Sequence, residues 1–191
     1  HFLGSIASGL ALSSLPFSGE ASAPQKAHTI CVFSKHLQWL AVPEMIQAAK
    51  DLGFDGIDLT VRPGGHVEPA QVVTDLPRVV KLIRKAGLEV PMITTNVVDP
   101  QDSLTVPVLK TAGELGIPYY RTGYLKYDAG LGVEKSLIKY KAQLKQLAAL
   151  NQKYKIHGAY QNHSGNGVGA AVWDLWELIR DLDPQWIGCQ Y

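Results

Sequence analysis

The sequence is poor in cysteine, in aromatic residues and in charge, and this scarcity narrows what the chain can be. Only Cys31 and Cys189 occur among 191 residues, far apart and each inside an apolar stretch. Neither has CxxC or Cys/His spacing, which argues against a zinc knuckle and for two buried free thiols. Charged residues make up 18% of the chain and the formal charge is +1, with no basic run and no acidic tail. Nucleic-acid binding needs clustered Lys and Arg, so that partner is not expected. No later apolar run approaches the ~20 residues of a membrane span. What is present is 46% hydrophobic residues, enough to give one ordinary domain a real core.

The N-terminus differs from the rest. "HFLGSIASGLALSSLPFSGEASA" has an apolar, small-residue centre followed by Ala21-Ser22-Ala23, the pattern of an export signal and its cleavage site. Residues 1–27 are therefore read as an export-signal-like or disordered segment outside the fold, and the protein as exported (periplasmic or extracytoplasmic). Residues 28–191 are read as the domain.

From His28 onward one unit recurs. A short apolar run is followed by a stretch with helical spacing that closes at or near a glycine: "TICVF" then "VPEMIQAAKDLG", "GIDLT" then "DLPRVVKLIRKAG", "LEVPMITT" then "SLTVPVLKTAGELG". "IPYYRTG" with "VEKSLIKYKAQLKQLAALNQKY" and "KIHGAYQN" with "AAVWDLWELIRDLD" continue the pattern, and "WIGCQY" opens a sixth strand. Strands alternating with helices indicate right-handed βαβ units and a parallel sheet. Two α/β architectures fit: an open doubly wound sheet, complete with six strands, or a (β/α)8 barrel of TIM type, of which six of eight strands are present. On the barrel reading the chain is expected to be incomplete at its C-terminal end.

In both architectures ligands sit beyond the carboxyl ends of the strands. The residues expected there are Ser34, Lys35, His36, Gln38 and Trp39 after strand one, and Asp58, Arg62 and His66 after strand two. Thr94, Thr95 and Asn96, with Asp99 close behind, follow strand three, Arg121, Tyr124, Lys126, Tyr127 and Asp128 strand four, and Gln161, Asn162, His163 and Ser164 strand five. The opposite joints, "DLGFDG", "KAGLEV" and "ELGIPY", are short and glycine-closed. That asymmetry suits carbohydrate, which takes many polar contacts together with flat apolar faces such as Trp39 and Tyr124. "GNGVGA", Gly165 to Ala170, matches G-x-G-x-x-G/A after a strand and before a helix. It lies on the fifth unit rather than the first, and no acidic residue closes the next strand. The glycines are read as a turn into the helix, and no nucleotide cofactor is expected.

The order "GFDGIDL", "AGLEV", "ELGIPYYR", "QKYKIHGAYQNHSG", "LDPQWIGCQY" resembles the sugar phosphate isomerase/epimerase group of xylose isomerase-like TIM barrels over residues 28–191. The resemblance implies a barrel acting on a sugar or sugar derivative. The chemistry is proton transfer next to a carbonyl, assisted by a divalent metal (Mn, Mg, Co or Zn). It implies a strand-five carboxylate that binds the metal and acts as acid or base; carried over by position, that residue is Gln161, an amide without charge or exchangeable acid proton. The other metal ligands come in such barrels from strands six to eight. His163 and His66 are the candidate catalytic residues in its stead, since imidazole exchanges protons near neutral pH. His36, Trp39, Asp58, Arg62, Asn96, Arg121, Tyr124 and Asn162 are the candidate substrate-binding residues, with Arg62 and Arg121 suited to a phosphate or carboxylate. Gln161 also leaves open a catalytically silent carbohydrate-binding barrel, and a lyase or hydrolase on the same barrel is the other enzyme reading. Homo-oligomer formation is left open.

Overall fold

The computed structural model describes residues 28–190, so the export-signal-like segment lies outside the described residues. Six strands alternate with five α-helices: β1 (Cys31–Phe33), α1 (Val42–Asp51), β2 (Gly56–Val61), α2 (Val72–Lys85), β3 (Glu89–Thr95) and α3 (Thr105–Glu114). They continue with β4 (Tyr119–Arg121), α4 (Gly132–Tyr154), β5 (His157–Gln161), α5 (Val172–Ile179) and β6 (Ile187–Gln190). All neighbouring pairs are parallel and the sheet order is β1-β2-β3-β4-β5-β6.

That order decides between the two architectures. A doubly wound sheet reverses direction beside its first strand and so receives helices on both faces. Here every crossover advances one strand in the same direction. Right-handed crossovers that never reverse place every helix on one side, which is how a (β/α)8 barrel is built. The chain supplies six strands of that arrangement.

The period-2 alternation of the strands divides the sheet chemically. Ile57, Leu59, Val61, Ile93, Tyr120, Tyr160 and Ile187 are buried on the helix-facing side. They pack with Met45 and Ala49 of α1, Leu76, Val79 and Ile83 of α2, Leu109 and Ala112 of α3, Leu144 and Leu147 of α4, and Leu178 of α5. The helical members recur every three or four residues, as a core-facing stripe requires. Each buried Val, Leu, Ile or Met among them contributes roughly 1.5–3 kcal/mol by leaving water. The opposite, inner face carries Asp58, Thr60, Thr94, Arg121 and Gln161, with Thr60 paired to Thr94, Thr94 to Arg121, and Gln161 to Gln190.

Two local features shape this frame. Between Gly56/Asp58 of β2 and Glu89/Met92 of β3 the register slips, with one extra residue on β3. Pro91 lies in that bulge, where its missing N–H interrupts no regular ladder bond. Helices α1, α2 and α3 are closed by Gly53, Gly87 and Gly116 at positive φ, whereas Lys155 closes α4 in the left-handed region at φ 55°.

Candidate functional site

The inner face brings its polar residues together in two groups joined by a central pair. At the β4–β5 end, Arg121 Nη1 donates to Gln161 Oε1 at 3.1 Å and also to the Tyr124 hydroxyl. Tyr124 donates to the same Gln161 oxygen at 2.5 Å. The guanidinium lies 4.7 Å from the centre of the Tyr124 ring, within cation–π distance. His163 meets the other side of this group, its ring at 65° to Tyr124 with centroids 5.1 Å apart. Arg121 is only 5% exposed, and its Nε has no hydrogen-bond partner among the described residues. Burial pulls the guanidinium below its ordinary value; Tyr124 and Asp58 oppose that, and Arg62 adds to it.

The central pair is Asp58 and Thr94. Burial pushes the Asp58 carboxyl up to about 6, while Thr94, Arg121 and Arg62 each pull it down. One carboxyl and two guanidinium groups thus share the electrostatics of this face.

The β1–β2 end is built from loops. Ser34 donates to Thr60 Oγ1 at 3.1 Å and accepts the Thr60 N–H at 2.9 Å. The same Thr60 oxygen meets His66 Nδ1 at 3.2 Å and accepts the His66 N–H at 3.0 Å. Burial pushes the His66 imidazole down, offset in part by the Leu40 and Leu37 carbonyls that face it. Neither carbonyl reaches hydrogen-bond geometry with the buried Nε2. Thr60 thus links His66 of the β2 loop to Ser34 after β1. His36 stands edge-on to Phe33 at 5.8 Å, Arg62 lies 5.9 Å over that same ring, and Trp39 is 77% exposed.

The structure thus gathers Arg121, Tyr124, Gln161 and His163 into one cluster, with Asp58 beside it. His36 and Arg62 meet at the Phe33 ring, and His66 is held separately by Thr60. Asn162 is exposed beside His163. Asn96 faces elsewhere: it lines a cavity of about 270 Å³ with Val61, Pro63, Val97 and Leu104. That cavity has largely apolar walls and contains none of Asp58, Arg121 or Gln161, so the polar face is the better candidate for chemistry. Two residues were not singled out from sequence. Thr60 sits on the inner face by strand parity, paired with Thr94, and Gln190 of β6 pairs with Gln161, its buried Oε1 lacking a partner among the described residues.

The glycine segment after β5 is tied down as a turn. Tyr160 Oη donates to the Val168 carbonyl at 2.9 Å and accepts the Leu125 N–H at 3.0 Å. The Val168 N–H goes to the Leu125 carbonyl at 3.1 Å. Gly169 has φ +83°, and a Cβ there would lie 2.9 Å from the Tyr160 ring, so glycine is required at that point.

Two amide oxygens and a guanidinium, with His163 and the single carboxylate Asp58 nearby, are a poor match for a divalent cation. Among the described residues no group of three or more His, Cys, Asp or Glu is placed to hold one. Hard cations take carboxylate-rich oxygen sets, and the Gln161 oxygen is already occupied by two protein donors.

Comparison with solved structures places the fold. The chain matches a D-tagatose 3-epimerase-like protein at 15% identity and TM-score 0.63, covering 85% of this chain and 64% of that one. It matches the probable 3-DHS dehydratase of petrobactin synthesis from Bacillus anthracis at 14% identity and TM-score 0.64, covering 84% and 62%. A xylose isomerase-like TIM barrel protein from Mycobacterium smegmatis in complex with magnesium matches at 12% identity and TM-score 0.61, covering 85% and 63%. The chain spans less than two thirds of the length of each of these neighbours. No curated protein matches the sequence. A family model described as xylose isomerase-like TIM barrel matches residues 46–191, and with six parallel strands in sequential order the chain belongs to that family.

Proposed function

We propose that this chain forms part of an isomerase or epimerase acting on a sugar or sugar derivative by proton transfer next to a carbonyl. The observation that carries the reading is a pair of buried polar atoms flanking β5 that lack a partner among the described residues: the donor Arg121 Nε on β4 and the acceptor Gln190 Oε1 on β6. A buried polar group without a partner costs about 1–3 kcal/mol. A sugar carries several hydroxyls, each able to donate or accept, so different hydroxyls of one ligand can satisfy one of each. The neighbours support the class, since they include an epimerase-like protein and a probable dehydratase.

His163 is the proposed proton carrier. Its Nδ1 lies 2.8 Å from the Ser164 carbonyl, which can only accept. The proton therefore resides on Nδ1, and the Nε2 lone pair is the basic site. Tyr124 orients both His163 and Gln161, and Arg121 supplies positive charge beside the oxygen on which negative charge develops.

The test is exchange of solvent deuterium into D-fructose, D-allulose and related ketoses, followed by NMR. Incorporation at the carbon beside the carbonyl supports the proposal. A second reading, a carbohydrate-binding barrel without turnover, is favoured by the neutral Gln161; it predicts saturable sugar binding with no deuterium uptake, and that result would reject the enzyme.

A further inference from the structure

We propose that Gln161 is held by Arg121 as a hydrogen-bond acceptor and does not ligate a divalent cation, the guanidinium being the fixed positive charge at this end of the site. A carbonyl oxygen of an amide has two lone pairs. At Gln161 one is directed to Arg121 Nη1 at 3.1 Å and the other to the Tyr124 hydroxyl at 2.5 Å. No acceptor capacity is left for a metal unless one of these bonds breaks.

The charge balance points the same way. A cation seated on that oxygen would stand within a few ångströms of the Arg121 guanidinium, and like charges at that distance in a low-dielectric face repel strongly. A carboxylate would offset part of this positive charge; the neutral amide offsets none of it. Arg121 cannot readily swing aside, because it is almost fully buried and stacked on Tyr124. With Nη1 engaged and Nε unpartnered, the guanidinium is itself able to polarise a ligand oxygen. For that ligand's being a sugar the inference rests on the function proposed above; the statement about the metal does not depend on it.

The experiment is calorimetric titration of the full chain with Mn²⁺, comparing the parent with Gln161→Ala and, should that variant not fold, Gln161→Asn. The expected result is Mn²⁺ affinity unchanged within about twofold, or no saturable binding in either protein. A loss of tenfold or more in the variant would overturn the proposal. A double-mutant cycle on thermal unfolding with Arg121→Gln and Gln161→Ala supplies a readout without metal. The double variant should melt close to the worse single variant, whereas strictly additive shifts would show that the two side chains are not coupled. Neither measurement requires turnover, so failure of the isomerase reading leaves the result interpretable.

Discussion

The hydroxyl of Thr94 is shared between the two carboxylate oxygens of Asp58, 2.9 Å from Oδ1 and 3.0 Å from Oδ2, across the β2–β3 pairing. It is the only side-chain donor that Asp58 has among the recorded hydrogen bonds of the described residues, and it does not outweigh burial. The carboxyl is pushed up from 3.8 to about 6. The folded chain therefore holds this proton more tightly than the unfolded chain does. Its contribution to stability is full below about pH 4, falls as pH rises through the interval from 3.8 to about 6, and is level above it. The fall amounts to roughly 3 kcal/mol at 1.36 kcal/mol per pH unit. Asp58→Asn should lack it, so the difference between parent and variant urea midpoints should widen from pH 4 to pH 6.5 in favour of the variant. Thr94→Val removes the donor that favours the charged form and should move the parent's decline to higher pH. Parallel parent and Asp58→Asn curves would remove Asp58 from the account.

Asn151 joins three elements. It lies in α4, is fully buried, accepts the Tyr120 hydroxyl of β4 at 2.9 Å and donates to the Trp186 carbonyl ahead of β6 at 2.8 Å. Asn151→Ala strands both partners in the core and should cost about 2–4 kcal/mol in chemical denaturation. Tyr120→Phe leaves only the amide oxygen unpaired and should cost about 1–2 kcal/mol.

Lys155 ends the longest helix in a conformation that L-residues adopt at a cost. Lys155→Gly should raise stability by about 0.5–1 kcal/mol, because glycine pays no Cβ penalty in the left-handed region. An unchanged or lowered melting temperature would contradict that.

His163 is exposed and its side chain makes one local hydrogen bond, to the neighbouring Ser164 carbonyl. His163→Gln should thus leave the melting temperature within about 2 °C of the parent. If His163 carries the proton, the same variant should slow deuterium exchange into a ketose substrate by about 10²-fold or more. A variant that exchanges at the parental rate would move the proton to another group, with Asp58 the first alternative.

Much of the fold was legible because alternation and periodicity are local properties. The apolar runs mark all six strands, and the glycines at 53, 87 and 116 mark helix ends. The start of α2 was not legible: Pro77 reads as a first-turn proline, yet the helix begins at Val72 and runs through it. The carbonyl of Val73, which loses its donor to Pro77, belongs to a residue 64% exposed, where water can take the donor's place. For the site, the strand ends pointed to Arg121, Tyr124 and Gln161, which the fold brings within hydrogen-bond reach of one another. At β3 they gave both Thr94 and Asn96, but only Thr94 lies on the inner face, because β3 ends at Thr95 and Asn96 lines a separate cavity. Gln190 was hidden inside an apparently apolar strand, and only its pairing with Gln161 gives it meaning.

The extra residue in β3 bears on how this chain can vary in length. A strand swaps faces at every residue, so a single insertion or deletion within β2, β4 or β5 would turn Asp58, Arg121 or Gln161 toward the helices and an apolar neighbour toward the polar face. Loops escape this rule, and so does the bulge at Pro91, where unequal counts are already absorbed. Among relatives, strand lengths should therefore change by two residues or not at all, while single-residue changes should collect in the loops and at the β3 bulge.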